Sequence, residues 1–181
     1  MATFGWMINL TGNTIPVYTA DGSGPILPQL GNLTRNECFI DGTISENPFE
    51  GDGYPVIFLN ANHEFKFGLV RDEDCGNGLV DFTDYASDGT SWVQVDTLER
   101  KVQYATRAYY ADGSLCCELP VNSRVWLTQN GGAGSSHHNY IAVTKVQTAS
   151  GRTYTFDGNG FVDLTYGNRW VNVGSILLRK V

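Results

Sequence analysis

Charge is scarce in this chain. Asp, Glu, Lys and Arg make up 17% of its 181 residues, and no stretch repeats apolar residues at helical spacing, which excludes a helical bundle or coiled coil. Basic residues are scarcer still: 12 Lys and Arg face 19 Asp and Glu, for a net charge of −7. They form no stripe, and phosphate neutralisation supplies most nonspecific nucleic-acid affinity, so nucleic acid is excluded as a partner. The same balance weakens attraction to anionic wall polymers or lipid head groups. No apolar run reaches 18 residues, so no membrane span is expected. The opening Met1-Ala-Thr-Phe-Gly-Trp-Met-Ile-Asn-Leu10 has neither a basic segment nor a continuous apolar one. It therefore reads as a cytoplasmic start without a secretory signal. Cys38, Cys75, Cys116 and Cys117 are accordingly expected as free thiols. Gly-x-Ser-x-Gly, His-Glu-x-x-His and P-loop patterns are missing, so no catalytic residue, cofactor or metal is expected.

Glycine and aromatic residues are plentiful, with 21 Gly and 12% Phe, Trp and Tyr. Glycine-bearing turns between aromatic and β-branched runs are strand chemistry. Asx-Gly pairs at 21–22, 41–42, 52–53, 88–89 and 112–113, and Gly-Asn-Gly at 76–78 and 158–160, suit the positive φ of tight turns. Between these signals strands are expected over 14–20, 37–40, 55–59, 64–70, 79–82 and 91–95. A second series covers 102–110, 124–128, 140–148, 152–156, 161–164 and 169–173. The fold class is all-β, built from small barrels or sandwiches.

The chain also repeats itself. Gly76-Asn-Gly-Leu-Val-Asp-Phe-Thr83 returns as Gly158-Asn-Gly-Phe-Val-Asp-Leu-Thr165, and Trp92-Val-Gln-Val95 as Trp170-Val-Asn-Val173. Leu98-Glu-Arg-Lys-Val102 returns as Leu177-Leu-Arg-Lys-Val181, and Tyr18-Thr-Ala-Asp-Gly-Ser23 as Tyr109-Tyr-Ala-Asp-Gly-Ser114. Ordered echoes of this kind mark a duplicated module. They divide the chain into residues 1–102, with extra segments at 41–54 and 86–90, and residues 103–181. No Pro- or Ser-rich linker intervenes, so the two units are expected to pack against each other.

The second unit's Ala108-Tyr-Tyr-Ala-Asp-Gly-Ser114, Glu118-Leu-Pro120, Arg124-Val-Trp126, Tyr140-Ile-Ala-Val-Thr144 and Thr153-Tyr-Thr-Phe-Asp-Gly-Asn-Gly-Phe-Val-Asp-Leu164 together resemble the bacterial SH3-like (SH3b) domain. Residues 14–84 resemble it more loosely, and the strand at 170–173 departs from its pattern. The resemblance implies two tandem small SH3-like β-barrels. It further implies recognition of bacterial cell-wall glycan or peptide, or a structural role among other virion proteins of a phage, in the tail, baseplate or capsid. Virion association or release by lysis would then take the chain out of the cytoplasm.

Aromatic side chains are the candidate binding residues, because they give large contact area at low entropy cost and stack on sugars or proline. They are Tyr18, Tyr85, Trp92, Tyr109, Tyr110, Tyr166 and Trp170. Alternation in Trp-Val-x-Val puts the valines on one face and Trp on the other. The tryptophans are then either outward platforms or packing between the copies. His137-His138 lies in a Gly-rich loop without a third ligand at a sensible spacing. The acidic run 72–74, with Asp81 and Asp84, lacks the spacing of a calcium loop. Cys38 sits in an apolar run and reads as core, not as a thiol paired with His63.

Overall fold

In a computed structural model of the chain, residues 5–21, 24–42, 53–134, 138–166 and 173–181 are described. The first sheet holds β1 (Trp6–Asn9), β2 (Ile15–Asp21), β3 (Gly24–Leu33), β4 (Cys38–Asp41), β5 (Gly53–Leu59), β6 (Phe65–Arg71) and β7 (Leu79–Asp81). A single helical turn, α1 (Asp72–Cys75), leads into β7. A 3₁₀ turn (Phe82–Asp84) and the hairpin β8 (Tyr85–Ser87) with β9 (Trp92–Gln94) follow. The second sheet holds β10 (Glu99–Val102), β11 (Thr106–Tyr109), β12 (Leu115–Leu119), β13 (Arg124–Leu127), β14 (Tyr140–Gln147), β15 (Thr153–Asp163) and β16 (Leu178–Arg179). Every pairing is antiparallel. The fold is all-β, and no helix among the described residues is long and apolar enough to cross a membrane.

The duplication is written in the strand order. The first sheet runs β3-β2-β6-β5-β4-β1-β7 and the second β12-β11-β15-β14-β13-β10-β16, the same path through equivalent strands. Small details repeat as well. Asn36 and Asn122 both take positive φ, 68° and 76°, and donate their N–H groups to Asn9 and Val102 at 2.9 Å. Each turns the chain into β4 or β13.

The sequence echoes do not all mark equivalent positions. The Tyr18 and Tyr109 echo does, since these residues lie on β2 and β11 and face Leu69 and Phe161. Gly76-Asn-Gly78 ends α1, with Gly76 at φ 52°. Gly158-Asn-Gly160 instead forms a bulge inside β15, where 143 pairs with 160 but 145 pairs with 155. The two strands expected at 152–156 and 161–164 are thus one. The true counterpart of Gly160-Phe-Val162 is Gly68-Leu-Val70, because Val56 pairs with Gly68 as Val143 pairs with Gly160. Leu98–Val102 and Leu177–Val181 lie on β10 and β16, which pair with each other. By its pairing β10 belongs to the second sheet, so the sheets part ahead of residue 99, whereas the echoes set the division after 102. The extra segment at 43–52 and Trp170 lie outside the described residues.

Strand β3 carries Gly24, Pro25, Pro28 and Gly31, residues that break central strands. It is tolerated because β3 is the last strand of its sheet, where a missing N–H breaks no ladder on the open side.

One of two buried clusters is shared by the sheets, while Met7, Val17, Phe39 and Phe58 belong to a second that lies within the first sheet. Trp6, Ile8, Cys38, Ile57 and Phe82 from the first part of the chain join Val102, Val125, Ile141, Val143 and Leu177 in a single buried cluster. The fully buried Trp6 donates its N–H to Gly131 at 3.0 Å and its indole N–H to the Tyr140 carbonyl at 2.9 Å. Gly5 bridges Gly132 beside it. The β8–β9 hairpin is held from both sides. The Trp92 indole donates to the Asn36 carbonyl at 3.0 Å, and Ser87 donates its hydroxyl to the Val173 carbonyl at 2.8 Å.

Arg100 anchors this junction. It is fully buried, and its two terminal nitrogens donate to the carbonyls of Thr83, Tyr85, Thr97 and Glu99. Its Nε has no partner among the described residues, and desolvation lowers its pKa to about 10. The equivalent first-sheet position is Met7, which faces Phe39 as Arg100 faces Val125. Arg100→Met installs the side chain the first sheet uses there but strands buried carbonyls without donors. Urea unfolding is expected to show a loss of about 3 kcal/mol with an unchanged m-value. A midpoint equal to wild type would mean that those carbonyls are satisfied without Arg100.

Candidate functional site

Strand β11 alternates cleanly, with Thr106 and Ala108 buried and Arg107 and Tyr109 turned outward. On that outward face Tyr109 meets Tyr140, the first residue of β14, edge to face at 5.4 Å between ring centroids. The Arg107 guanidinium lies 5.4 Å from the centroid of the Tyr166 ring and 2.9 Å from Glu118 across the β11–β12 ladder. Asp163 sets the turn that brings Tyr166 there, accepting from the Thr165 N–H at 3.0 Å and hydroxyl at 3.2 Å. The same carboxylate takes the Asn139 side-chain N–H at 3.1 Å. Burial, then the Asp163 charge, pushes the Tyr140 hydroxyl pKa up, so the ring stays neutral. The result is an outward sheet face that joins an Arg107–Tyr166 contact to a Tyr109–Tyr140 ring pair. Stacking on a flat apolar face with polar groups at its edge is the chemistry it can offer.

The other expected site residues are elsewhere. Tyr110 points off the opposite side of β11 and meets Phe156 edge to face at 5.7 Å. Tyr18, the counterpart of Tyr109, is only 9% exposed, with the Arg71 guanidinium 4.3 Å from its ring centroid. Proline at 16, where the second sheet has Arg107, removes the matching cation. Tyr85 packs half-buried on the shared core. Trp92 packs there too, 5.8 Å from Phe82, and is therefore a packing tryptophan and not an outward platform. Tyr140 and Arg107 escaped sequence reasoning because their value lies in cross-strand neighbours that no local pattern announces.

None of the other groups weighed from sequence assembles into a reactive site among the described residues. Cys38 is buried, and burial pushes its thiol pKa well above the ordinary value, while His63 is exposed on a turn. Burial also raises Cys75 to about 11 and Cys117 to about 12. Thiolates are thus scarce at neutral pH. His138 packs on Phe65 at 5.6 Å, and no three His, Cys, Asp or Glu side chains gather to hold a metal among the described residues.

One titratable group stands out. Glu37, where the second sheet has Ser123, is 2% exposed. Its Oε2 accepts from the Thr34 N–H at 2.6 Å and hydroxyl at 2.9 Å. Burial outweighs these bonds and pushes its pKa up to about 7. It lines a pocket of about 290 Å³ with Leu30, Phe58, Leu59 and Asn60.

No family model matches the chain, and no curated protein matches it. Among solved structures it aligns with NlpC1 from Trichomonas vaginalis, 9% identical over 97% of this chain and 45% of that one, with a TM-score of 0.31. It also aligns with NlpC2 from the same organism, 8% identical over 100% of this chain and 49% of that one, with a TM-score of 0.32. The chain spans about half the length of these solved chains. Overlap this loose transfers no site from them.

The raised Glu37 pKa has a definite sign for stability. The folded chain keeps this proton above the ordinary value of 4.5, so the stabilisation is complete below that pH and is lost as pH rises through about 7. Between pH 5 and pH 8, wild type is expected to lose about 2.5 kcal/mol of urea-unfolding free energy relative to Glu37→Gln. Parallel pH profiles for the two proteins would show that Glu37 titrates normally.

Proposed function

We propose that this chain is a non-catalytic recognition module that binds bacterial cell-surface glycan or wall peptide through Arg107, Tyr109, Tyr140 and Tyr166. The observation that carries the reading is an outward face on which Tyr166 lies against the Arg107 guanidinium beside the Tyr109–Tyr140 ring pair, on an acidic protein whose charge disfavours polyanions. Tyrosine and arginine are the side chains that dominate contact energy when a flat ligand is held against a surface. The resemblance of 108–164 to SH3b sequences supports the same class of ligand. Raised thiol pKa values support a binding role over a cysteine-based reaction. Tyr18 is covered by Arg71, so we read one site per chain and not a matched pair.

A virion structural protein is the second reading. Leu115 at 51% and Val121 at 46% exposure lie on and just after β12, the last strand of its sheet. An apolar edge of this kind suits strand addition from a scaffold protein. In that reading the chain is carried in a particle or released with it on lysis.

Retention on purified Gram-positive walls tests the first reading. Truncating each tyrosine is expected to remove about 1–2 kcal/mol of binding. Tyr109→Ala with Tyr166→Ala should therefore weaken retention at least about tenfold while leaving the urea midpoint near wild type. Equal retention of wild type and double variant, or none by either, would overturn it. In the second case co-sedimentation with phage particles would favour the virion role.

A further inference from the structure

We propose that the Glu37 pocket of the first sheet binds a primary ammonium group carried on an unbranched aliphatic stem, such as a lysine side chain. This goes beyond the reading above and concerns the other sheet.

Three features of the pocket select that ligand. The first is the carboxyl group itself. Thr34 holds Oε2 with two hydrogen bonds, which fixes the carboxyl plane, and no hydrogen bond from the described residues reaches Oε1. Among the described residues no cation stands beside it to perturb its titration. A buried carboxylate in that state lacks the partner that would make its ionisation favourable, and a charged ligand supplies it.

The second is the wall. Leu30, Phe58 and Leu59 line the pocket with Glu37, and methylene groups lie well against such a surface. At about 290 Å³ it falls just below the usual range for drug-sized ligands, about 300–1,000 Å³, and suits a single side chain. The rim is set in advance. The Asn60 side-chain oxygen accepts the N–H groups of Asn62 and Glu64 at 2.9 and 3.0 Å, holding the turn that faces Asn32 and Thr34. A divalent metal is disfavoured, since no cluster of three ligating side chains exists among the described residues. An anion is disfavoured by the carboxylate.

The third is the comparison between copies. Ser123 occupies the position of Glu37, and its hydroxyl accepts the Ala149 N–H at 3.1 Å. The turn at Asn36 and Asn122 forms with either residue. The fold therefore does not require a carboxyl there, and only the first copy carries one.

Other titratable groups also sit on the framing elements. Arg35, His63, Glu64 and Lys66 are exposed, Lys66 lies 3.9 Å from Glu64, and Cys38 is buried as a thiol. Asp41 and Tyr54 sit at the far ends of β4 and β5.

The test is an amide-resolved NMR titration of the whole ¹⁵N-labelled chain with Nα-acetyl-lysine methylamide. Nα-acetyl-norleucine methylamide, with the same stem and no charge, is the control. The lysine probe is expected to shift the Thr34, Glu37 and Asn60 amides saturably at pH 8, with the norleucine probe at least tenfold weaker. The lysine ammonium stays charged throughout this range, so protonation of Glu37 should weaken binding about a hundredfold at pH 5. Glu37→Gln should abolish it while wall retention through the Tyr109 face stays unchanged, so the two readings fail separately. Equal binding of both probes, binding indifferent to pH in wild type, or survival of lysine binding in Glu37→Gln would overturn the proposal. So would calcium chloride shifting the same amides more tightly than the lysine probe.

Discussion

Arg100 carries a positive charge into the buried interior with four backbone carbonyls around it and, among the described residues, no ion pair to a carboxylate. A buried charge without hydrogen bonds is prohibitively costly, so those carbonyls must stay where they are. They belong to the 3₁₀ turn, the β8–β9 hairpin and the approach to β10, the segment that carries the chain from one sheet to the other. What would otherwise be a linker is thereby fixed as structure. Trp6, buried in the core, and Trp92, packed against it, complete the fastening, each donating its indole N–H to a carbonyl of a distant segment. A duplicated module commonly yields two independent beads; here the junction makes the copies one body.

That junction reaches the candidate site directly. The carbonyl that accepts the Trp6 indole belongs to Tyr140, one of the three tyrosines on the outward face of the second sheet. The first sheet thus positions a residue of the face that we propose binds ligand. The two copies have also diverged in what they expose. The second presents Tyr166 against Arg107 beside the Tyr109–Tyr140 pair, whereas the first covers its equivalent Tyr18 with Arg71 and keeps the Glu37 carboxyl in a small pocket where the second has Ser123. The side chains at these equivalent positions differ between the copies and do not repeat one arrangement.

The all-β class and the fact of duplication were legible in the sequence because both rest on local signals: Asx-Gly turns, β-branched and aromatic runs, and ordered echoes. The register of the repeat was not. The string Gly-Asn-Gly tolerates positive φ wherever it falls, and the chain uses it once to end a helical turn and once to build a bulge inside β15. Leu98–Val102 and Leu177–Val181 look alike, yet they mark β10 and β16, which pair with each other and are not equivalent strands. Strand β3 was hidden by its two prolines, which its place as the last strand of the sheet tolerates, and edge position is a property of the whole sheet. Of the site, Tyr109 and Tyr166 were visible as aromatics near turns. Arg107, Tyr140 and the buried state of Glu37 were not, since each depends on neighbours more than ten residues away or on burial. Trp92 was ambiguous for the same reason: its Val-x-Val alternation is satisfied whichever face meets the core.

Calorimetry of the intact chain reaches the central claim most directly, because a shared core and a buried junction arginine leave neither copy able to melt alone. One thermal transition is expected, with calorimetric and van't Hoff enthalpies equal. Two resolved transitions, or a van't Hoff enthalpy near half the calorimetric value, would mean that the sheets unfold separately and that the junction does not unite them.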